Sequence, residues 1–124
     1  MARILIAEDE EALCAMCARG LVMDGHEVKT ARDGSDALDV LAREDGEFDL
    51  LLTDIRMPIM DGIALALSAA RDFPNLTILL MTGYADQRER AHGLDALIHD
   101  VITKPFTLAT LRGAVKEALA VQAR

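Results

Sequence analysis

Short apolar runs alternate along this chain with longer segments in which apolar residues recur every three or four positions. The first run, Arg3-Ile4-Leu5-Ile6-Ala7, is continuous rather than alternating, as in a strand buried on both faces. It stops at Glu8-Asp9-Glu10-Glu11. A helical pattern then covers about Glu10 to Met23, with Leu13, Met16, Cys17 and Leu21 on one side. Asp24-Gly25 predicts a turn, and His26 to Thr30 a second, weaker strand. Asp33-Gly34-Ser35 opens a helix that runs to about Arg43. Phe48 to Thr53 is the strongest strand signal, followed by a loop from Asp54 to Gly62 and a helix over about Ile63 to Arg71. Phe73-Pro74-Asn75 breaks that helix. Leu76 to Met81 predicts a fourth strand, Asp86 to His92 a short polar helix, Ile98 to Thr103 a fifth strand, and Leu108 to Val121 a closing amphipathic helix.

Five strands thus alternate with five helices, an α/β pattern. Parallel strands need crossovers of about a dozen residues, and the helical segments supply them. Right-handed crossovers favour an open, doubly wound five-stranded parallel sheet with helices on both faces. In such sheets, sites form beyond the carboxyl ends of the strands, at the switch point. No repeat, low-complexity stretch or linker divides the chain, so one domain over residues 1–124 is expected.

Composition narrows the partners. Of the 124 residues 52% are hydrophobic, enough for a sizeable core. Thirteen Lys and Arg against 21 Asp and Glu give a net charge of −8, a poor general field for binding nucleic acid. No apolar run approaches the roughly 18 residues that span a bilayer. The first apolar run turns acidic too soon for a secretory signal. Two cysteines build no disulfide framework, so a cytoplasmic chain without membrane insertion is expected.

The strand ends carry the candidate chemistry. Glu8, Asp9, Glu10 and Glu11 follow the first strand, Asp54 the third, Thr82, Gly83 and Tyr84 the fourth, and Lys104 and Pro105 the fifth. Three carboxylates converging on one point repel one another unless a cation joins them. Few, hard oxygen ligands suit Mg²⁺, which keeps several waters and accepts a phosphate. A Lys at the same rim matches a phosphoryl oxygen, and a Thr hydroxyl can donate to another. The constellation points to phosphoryl chemistry with a carboxylate as nucleophile.

At these residues the chain resembles the receiver domain of bacterial two-component response regulators. The resemblance rests on Ala7-Glu8-Asp9, on Thr53-Asp54-Ile55-Arg56-Met57-Pro58 with Met60-Asp61-Gly62, on Met81-Thr82-Gly83 and on Lys104-Pro105-Phe106, in that order and at matching spacings. It implies a flavodoxin-like (βα)5 receiver fold and a phosphorelay role, with Asp54 as phosphoacceptor. The donor would be a histidine kinase or a histidine phosphotransfer protein. Glu8, Asp9, Asp54 and the backbone carbonyl of Arg56 would hold Mg²⁺. Lys104 would pair with the phosphoryl group, its bond to Pro105 would be cis, and Thr82 would move toward the phosphoryl group on activation. The resemblance further implies a phosphoprotein rather than a turnover enzyme. Phosphorylation would change how a downstream protein binds the face made by the fourth helix, fifth strand and fifth helix. The chain would be a monomer or a weak phosphorylation-dependent dimer.

The sequence also departs from the family. The acid pair is Glu-Asp rather than the commoner Asp-Asp, which makes Asp9 the safer ligand. Gly83 stands where Ala is frequent. Val101, three residues before Lys104, replaces the usual switch aromatic and has few χ1 states. Tyr84 is therefore expected to relay the phosphoryl state together with Thr82. As rival readings, Asp54 could be a loop acid, although Asp61 with Gly62 is the more natural turn acid. A haloacid-dehalogenase-type hydrolase needs an acid two residues after its nucleophile, where this chain has Arg56. A cofactor carrier of flavodoxin type needs Gly, Ser and Thr after the first strand, where this chain is acidic. A pure scaffold would not need Asp9, Asp54, Thr82 and Lys104 together. Cys14-Ala15-Met16-Cys17 reads as helix core rather than as a redox or zinc motif. Gly20 inside the first helix has no reason visible in sequence. Only Gln122-Ala123-Arg124 follow the last helix, so a stand-alone receiver without DNA binding in cis is expected.

Overall fold

The computed structural model describes residues 2–83, 91 and 93–122. Its strands are β1 (Arg3–Ala7), β2 (Glu27–Ala31), β3 (Leu50–Asp54), β4 (Thr77–Thr82) and β5 (Asp100–Thr103). Its helices are α1 (Glu11–Met23), α2 (Gly34–Arg43), α3 (Gly62–Asp72) and α4 (Leu108–Gln122). The strands form one all-parallel sheet in the order β2-β1-β3-β4-β5. Strand order therefore reverses between β1 and β3, and a crevice opens beyond their carboxyl ends. The doubly wound expectation is borne out. The helix expected over 86–92 lies outside the described residues apart from Ala91.

The continuous apolar runs are explained by two cores. Successive side chains of a strand point to opposite faces. Leu5, Leu51, Ile78 and Leu80 pack on one side against Ala37, Val40 and Leu41 of α2 and Ile63, Leu65, Ala66 and Ala69 of α3. Ile4, Ile6, Leu50, Leu52, Leu79 and Met81 pack on the other against Cys17 and Leu21 of α1 and Leu111, Val115 and Ala118 of α4. β2 lies at the sheet edge with Glu27, Lys29 and Thr30 exposed, which is why its apolar signal is weak. Charges on an edge strand also discourage pairing with other chains.

Several boundaries differ from expectation. β3 starts at Leu50 rather than Phe48, because the Phe48 N–H donates to Gly46 O at 2.8 Å, within a turn. The Asp49 carboxylate meanwhile accepts from the Arg3 N–H at 2.8 Å. β5 starts at Asp100 rather than Ile98, whose N–H still closes the preceding turn onto Leu94 O at 3.1 Å. Asp54 and Thr82 are the last residues of β3 and β4, not the first beyond them. A Cβ at Gly20 would fall 2.3 Å from Leu108 Cδ1 where α1 meets α4, so any larger residue there needs the Leu108 side chain to shift.

Candidate functional site

Each site residue is placed by the end of a strand. The Glu8 N–H donates to Ala31 O at 3.0 Å, extending the β1–β2 pairing by one residue and burying the Glu8 side chain. Its Oε1 accepts from the Glu10 N–H at 3.1 Å, and its Oε2 from Lys104 Nζ at 3.1 Å. The same ammonium donates to Asp54 Oδ2, also at 3.1 Å. Lys104 is held there by its backbone, whose N–H donates to Thr82 O at 2.8 Å, and its bond to Pro105 is cis. Thr82 is buried at the end of β4, one residue beyond the partner of Asp54 in the β3–β4 register. Asp9 is exposed at the mouth of the crevice. Oxygens of Glu8, Asp9 and Asp54 lie within 4.8 Å of one another.

The electrostatics follow from that crowding. Burial, then the charge of Asp54, pushes Glu8 up to about 7, against the opposite pull of the Glu10 N–H and Lys104. Burial alone would lower the Lys104 pKa. The hydrogen bond and charge of Asp54, joined by those of Glu8, outweigh it, and the pKa is raised. One ammonium thus faces two buried carboxylates, with a third at the rim. A three-oxygen cluster short of positive charge is the donor set that a small hard cation such as Mg²⁺ fits. Glu8 is already engaged twice, which leaves Asp9 and Asp54 the freer of the three.

The segment from β3 to α3 is tied at several points. The Ile55 N–H donates to Met81 O at 3.0 Å, and the Gly62 N–H to Ile55 O at 2.7 Å. The Gly34 N–H donates to Met60 O at 3.1 Å. Asp61 caps α3 by accepting from the Ala64 N–H at 2.8 Å, which separates its role from that of Asp54. Arg56, two residues after Asp54, is exposed. Sequence reasoning quoted Thr53 and Gly62 within the motifs but assigned neither a role. The buried Thr53 hydroxyl donates to the carbonyl of Asp54 at 2.9 Å. Gly62 lets α3 approach that same carbonyl, since a Cβ would fall 2.0 Å from it. A polar residue in an otherwise leucine run was the available signal for Thr53.

Other expectations separate in the same way. Val101 is half-buried against the core of α2 and α3. Among the described residues a Cβ on Gly83 would meet Lys104 Cβ at 3.6 Å, an ordinary contact distance. Tyr84 and its relay role lie outside the described residues. Cys17 is fully buried, and burial, with smaller contributions from Cys14 and Glu8, pushes its thiol up to about 11. That is the core reading, not a redox one. Among the described residues, no helix is long and apolar enough to cross a membrane.

The profile of the response regulator receiver domain matches residues 4–116. The chain belongs to the response regulator receiver family. Its place is in two-component signalling. This receiver is 36% identical over 109 residues to the transcriptional regulatory protein TcrA of Mycobacterium tuberculosis, matching 88% of this chain and 42% of that one. It therefore spans less than half the length of that curated relative. Among solved structures, a CheY-like receiver domain protein from Methanospirillum hungatei superposes with a TM-score of 0.90 at 31% identity, covering 99% of this chain and 97% of that one. The response regulator TrrA of Thermotoga maritima, solved in complex with Mg(2+)-BeF, gives a TM-score of 0.83 at 28% identity over 95% of this chain and 99% of that one.

Proposed function

We propose that this receiver takes a phosphoryl group onto Asp54 from the phosphohistidine of a histidine kinase or histidine phosphotransfer protein. The observation that carries the reading is the Lys104 ammonium, 3.1 Å from both Asp54 and Glu8, at a point where three carboxylates meet. An oxygen of Asp54 forms the new O–P bond as the N–P bond of the donor breaks, and the bonding pair leaves with the imidazole nitrogen. Asp54 is presented for this by the Thr53 hydroxyl and the close-packed Gly62 behind its carbonyl. Lys104 is placed to transfer its hydrogen bonds from the carboxylates to an incoming phosphoryl oxygen, and the buried Thr82 hydroxyl stands at the neighbouring strand end. Glu8, Asp9, Asp54 and the Arg56 carbonyl would hold Mg²⁺. When bound, the ion neutralises the charge that the phosphoryl oxygens add to this acidic cluster.

The product is the phosphorylated protein itself, so the chain works as a switch and not as a turnover enzyme. Its output is altered binding of a downstream protein by the face on which β5 and α4 lie, with the chain a monomer or weak phosphorylation-dependent dimer in the cytoplasm. The TrrA complex with Mg(2+)-BeF supports the ion and the acceptor chemistry by analogy. The test is labelling by radiolabelled phosphoramidate with and without Mg²⁺. Wild type should label only with the ion, and Asp54→Asn not at all. Full labelling of Asp54→Asn would overturn the assignment.

A further inference from the structure

One residue in the loop between Asp54 and α3 is both strained and solvent-facing. The Met60 N–H donates to Pro58 O at 2.7 Å across Ile59, whose φ is 69°. This is a γ-turn of the positive-φ form, which is rare and strained. A β-branched residue is a genuine outlier in that region, where glycine or asparagine would sit at ease. Ile59 is 84% exposed, so burial within this chain does not compensate the strain. The turn is held in place by the bonds from Gly34 to Met60 and from Gly62 to Ile55. Strain maintained by its surroundings, at an exposed apolar side chain, points to a function.

Position selects the partner. The other exposed large hydrophobics among the described residues are Val22, Met23, Leu67, Leu97 and Val121. Val22 and Met23 end α1, Val121 ends α4 and Leu97 precedes β5, all at the end of the sheet away from Asp54. Leu67 lies midway along α3. Ile59 alone of these stands at the end of the sheet that carries Asp54. The mouth there is lined by the exposed acids Asp9, Glu10 and Glu11. Charge therefore opposes the approach of a phosphorylated donor, and an apolar contact supplies attraction that survives this repulsion.

We propose that Ile59 is the docking anchor for the phosphodonor protein, and that it inserts into an apolar pocket beside the donor's phosphohistidine. This rests on the reading of Asp54 as acceptor. Full burial of an isoleucine side chain corresponds to a loss of about tenfold or more in transfer efficiency when it is removed. A small-molecule donor makes no such contact.

The test uses Ile59→Gly and Ile59→Leu with two donors. One is radiolabelled phosphoramidate. The other is a panel of purified autophosphorylated histidine-kinase cores from the same organism, taking the fastest for wild type. Ile59→Gly should unfold at the same or higher urea concentration than wild type, because glycine relieves the turn. Its kcat/KM should fall about tenfold or more with the kinase and stay unchanged with phosphoramidate. Ile59→Leu should recover most of the kinase rate. The proposal is overturned if Ile59→Gly accepts from the kinase as wild type does, or if it loses both donors equally. A wild-type chain that labels with neither donor would instead overturn the acceptor reading.

Discussion

Replacing Gly62 by alanine asks whether the acceptor's backbone is set by the close approach of α3. An ideal Cβ at that position would lie 2.0 Å from Asp54 O, 2.8 Å from Asp54 C and 2.9 Å from Ile55 Cα. Close carbon–oxygen contacts begin near about 3.3 Å, so roughly 1 Å of extra space must open between β3 and the first turn of α3. No side-chain rotation supplies it, because every atom in the way is backbone and Ile55 is paired to Met81 at 3.0 Å. Overpacking of this kind costs about 1–3 kcal/mol. Loss of the Gly62–Ile55 hydrogen bond adds about 1 kcal/mol. The better helix propensity of alanine returns less than about 1 kcal/mol. Gly62→Ala should therefore lose about 2–3 kcal/mol in urea unfolding. A displacement near 1 Å at the nucleophile should also slow phosphoramidate labelling on the order of a hundredfold. Gly113→Ala is the matched control. Among the described residues nothing lies within 4 Å of its Cβ on the exposed face of α4, so the same substitution should stabilise by about 0.5–1 kcal/mol and leave labelling unchanged. Equal urea midpoints and equal labelling for Gly62→Ala and wild type would refute the reasoning.

Other outcomes follow from the site and the cores. Asp9→Ala should abolish most of the thermal upshift given by millimolar Mg²⁺, and Glu8→Ala should retain more of it, because Glu8 is already bound to Lys104 and the Glu10 N–H; the reverse order would contradict this. Thr53→Val should cost about 1 kcal/mol and slow labelling, and Thr53→Ser should restore labelling, since only the hydroxyl reaches Asp54 O, while its lost buried methyl keeps stability about 1 kcal/mol below wild type. A thiol pushed up to about 11 is roughly one-thousandth ionised at pH 8, its reactivity rising as pH approaches that value. In a Cys14→Ala background, Cys17 should then react with a thiol reagent at pH 8 only after unfolding in urea, and rapid modification of that folded variant would count against its burial.

The fold was legible because the strands of a doubly wound sheet are buried on both faces. Leu50-Leu51-Leu52 reads as one apolar run even though Leu51 serves one core and its neighbours the other. The candidate site was legible because acids and a lysine cannot end such runs without a purpose. Boundaries were not. Phe48 is as buried as a strand residue, but its N–H belongs to a turn, and apolarity alone does not reveal where an N–H points. The roles of Gly20 and Gly62 were hidden for a related reason: they depend on Leu108 and on the carbonyl of Asp54, and the Leu108 contact joins residues far apart along the chain. The strain at Ile59 is a dihedral property that its identity argues against.

The sheet that carries Asp54 is also a partition. α2 and α3 pack on one side of it and α1 and α4 on the other, and among the described residues the two apolar clusters share no member. Substitutions on opposite sides should therefore combine additively, since distant sites without common partners seldom couple. Every strand sends side chains to both halves, β2 through Ala31 and Val28 and β5 through Val101 and Ile102, so the strand backbones are what the two halves share. A lineage could thus remodel the α1–α4 half to suit a new partner while the half that buttresses the β3–α3 turn stays untouched. The choice of downstream partner and the acceptor chemistry can then diverge independently within one small domain, and exchanging α4 between relatives is a practical route to redirecting the output without rebuilding the acidic crevice or the turn at Ile59.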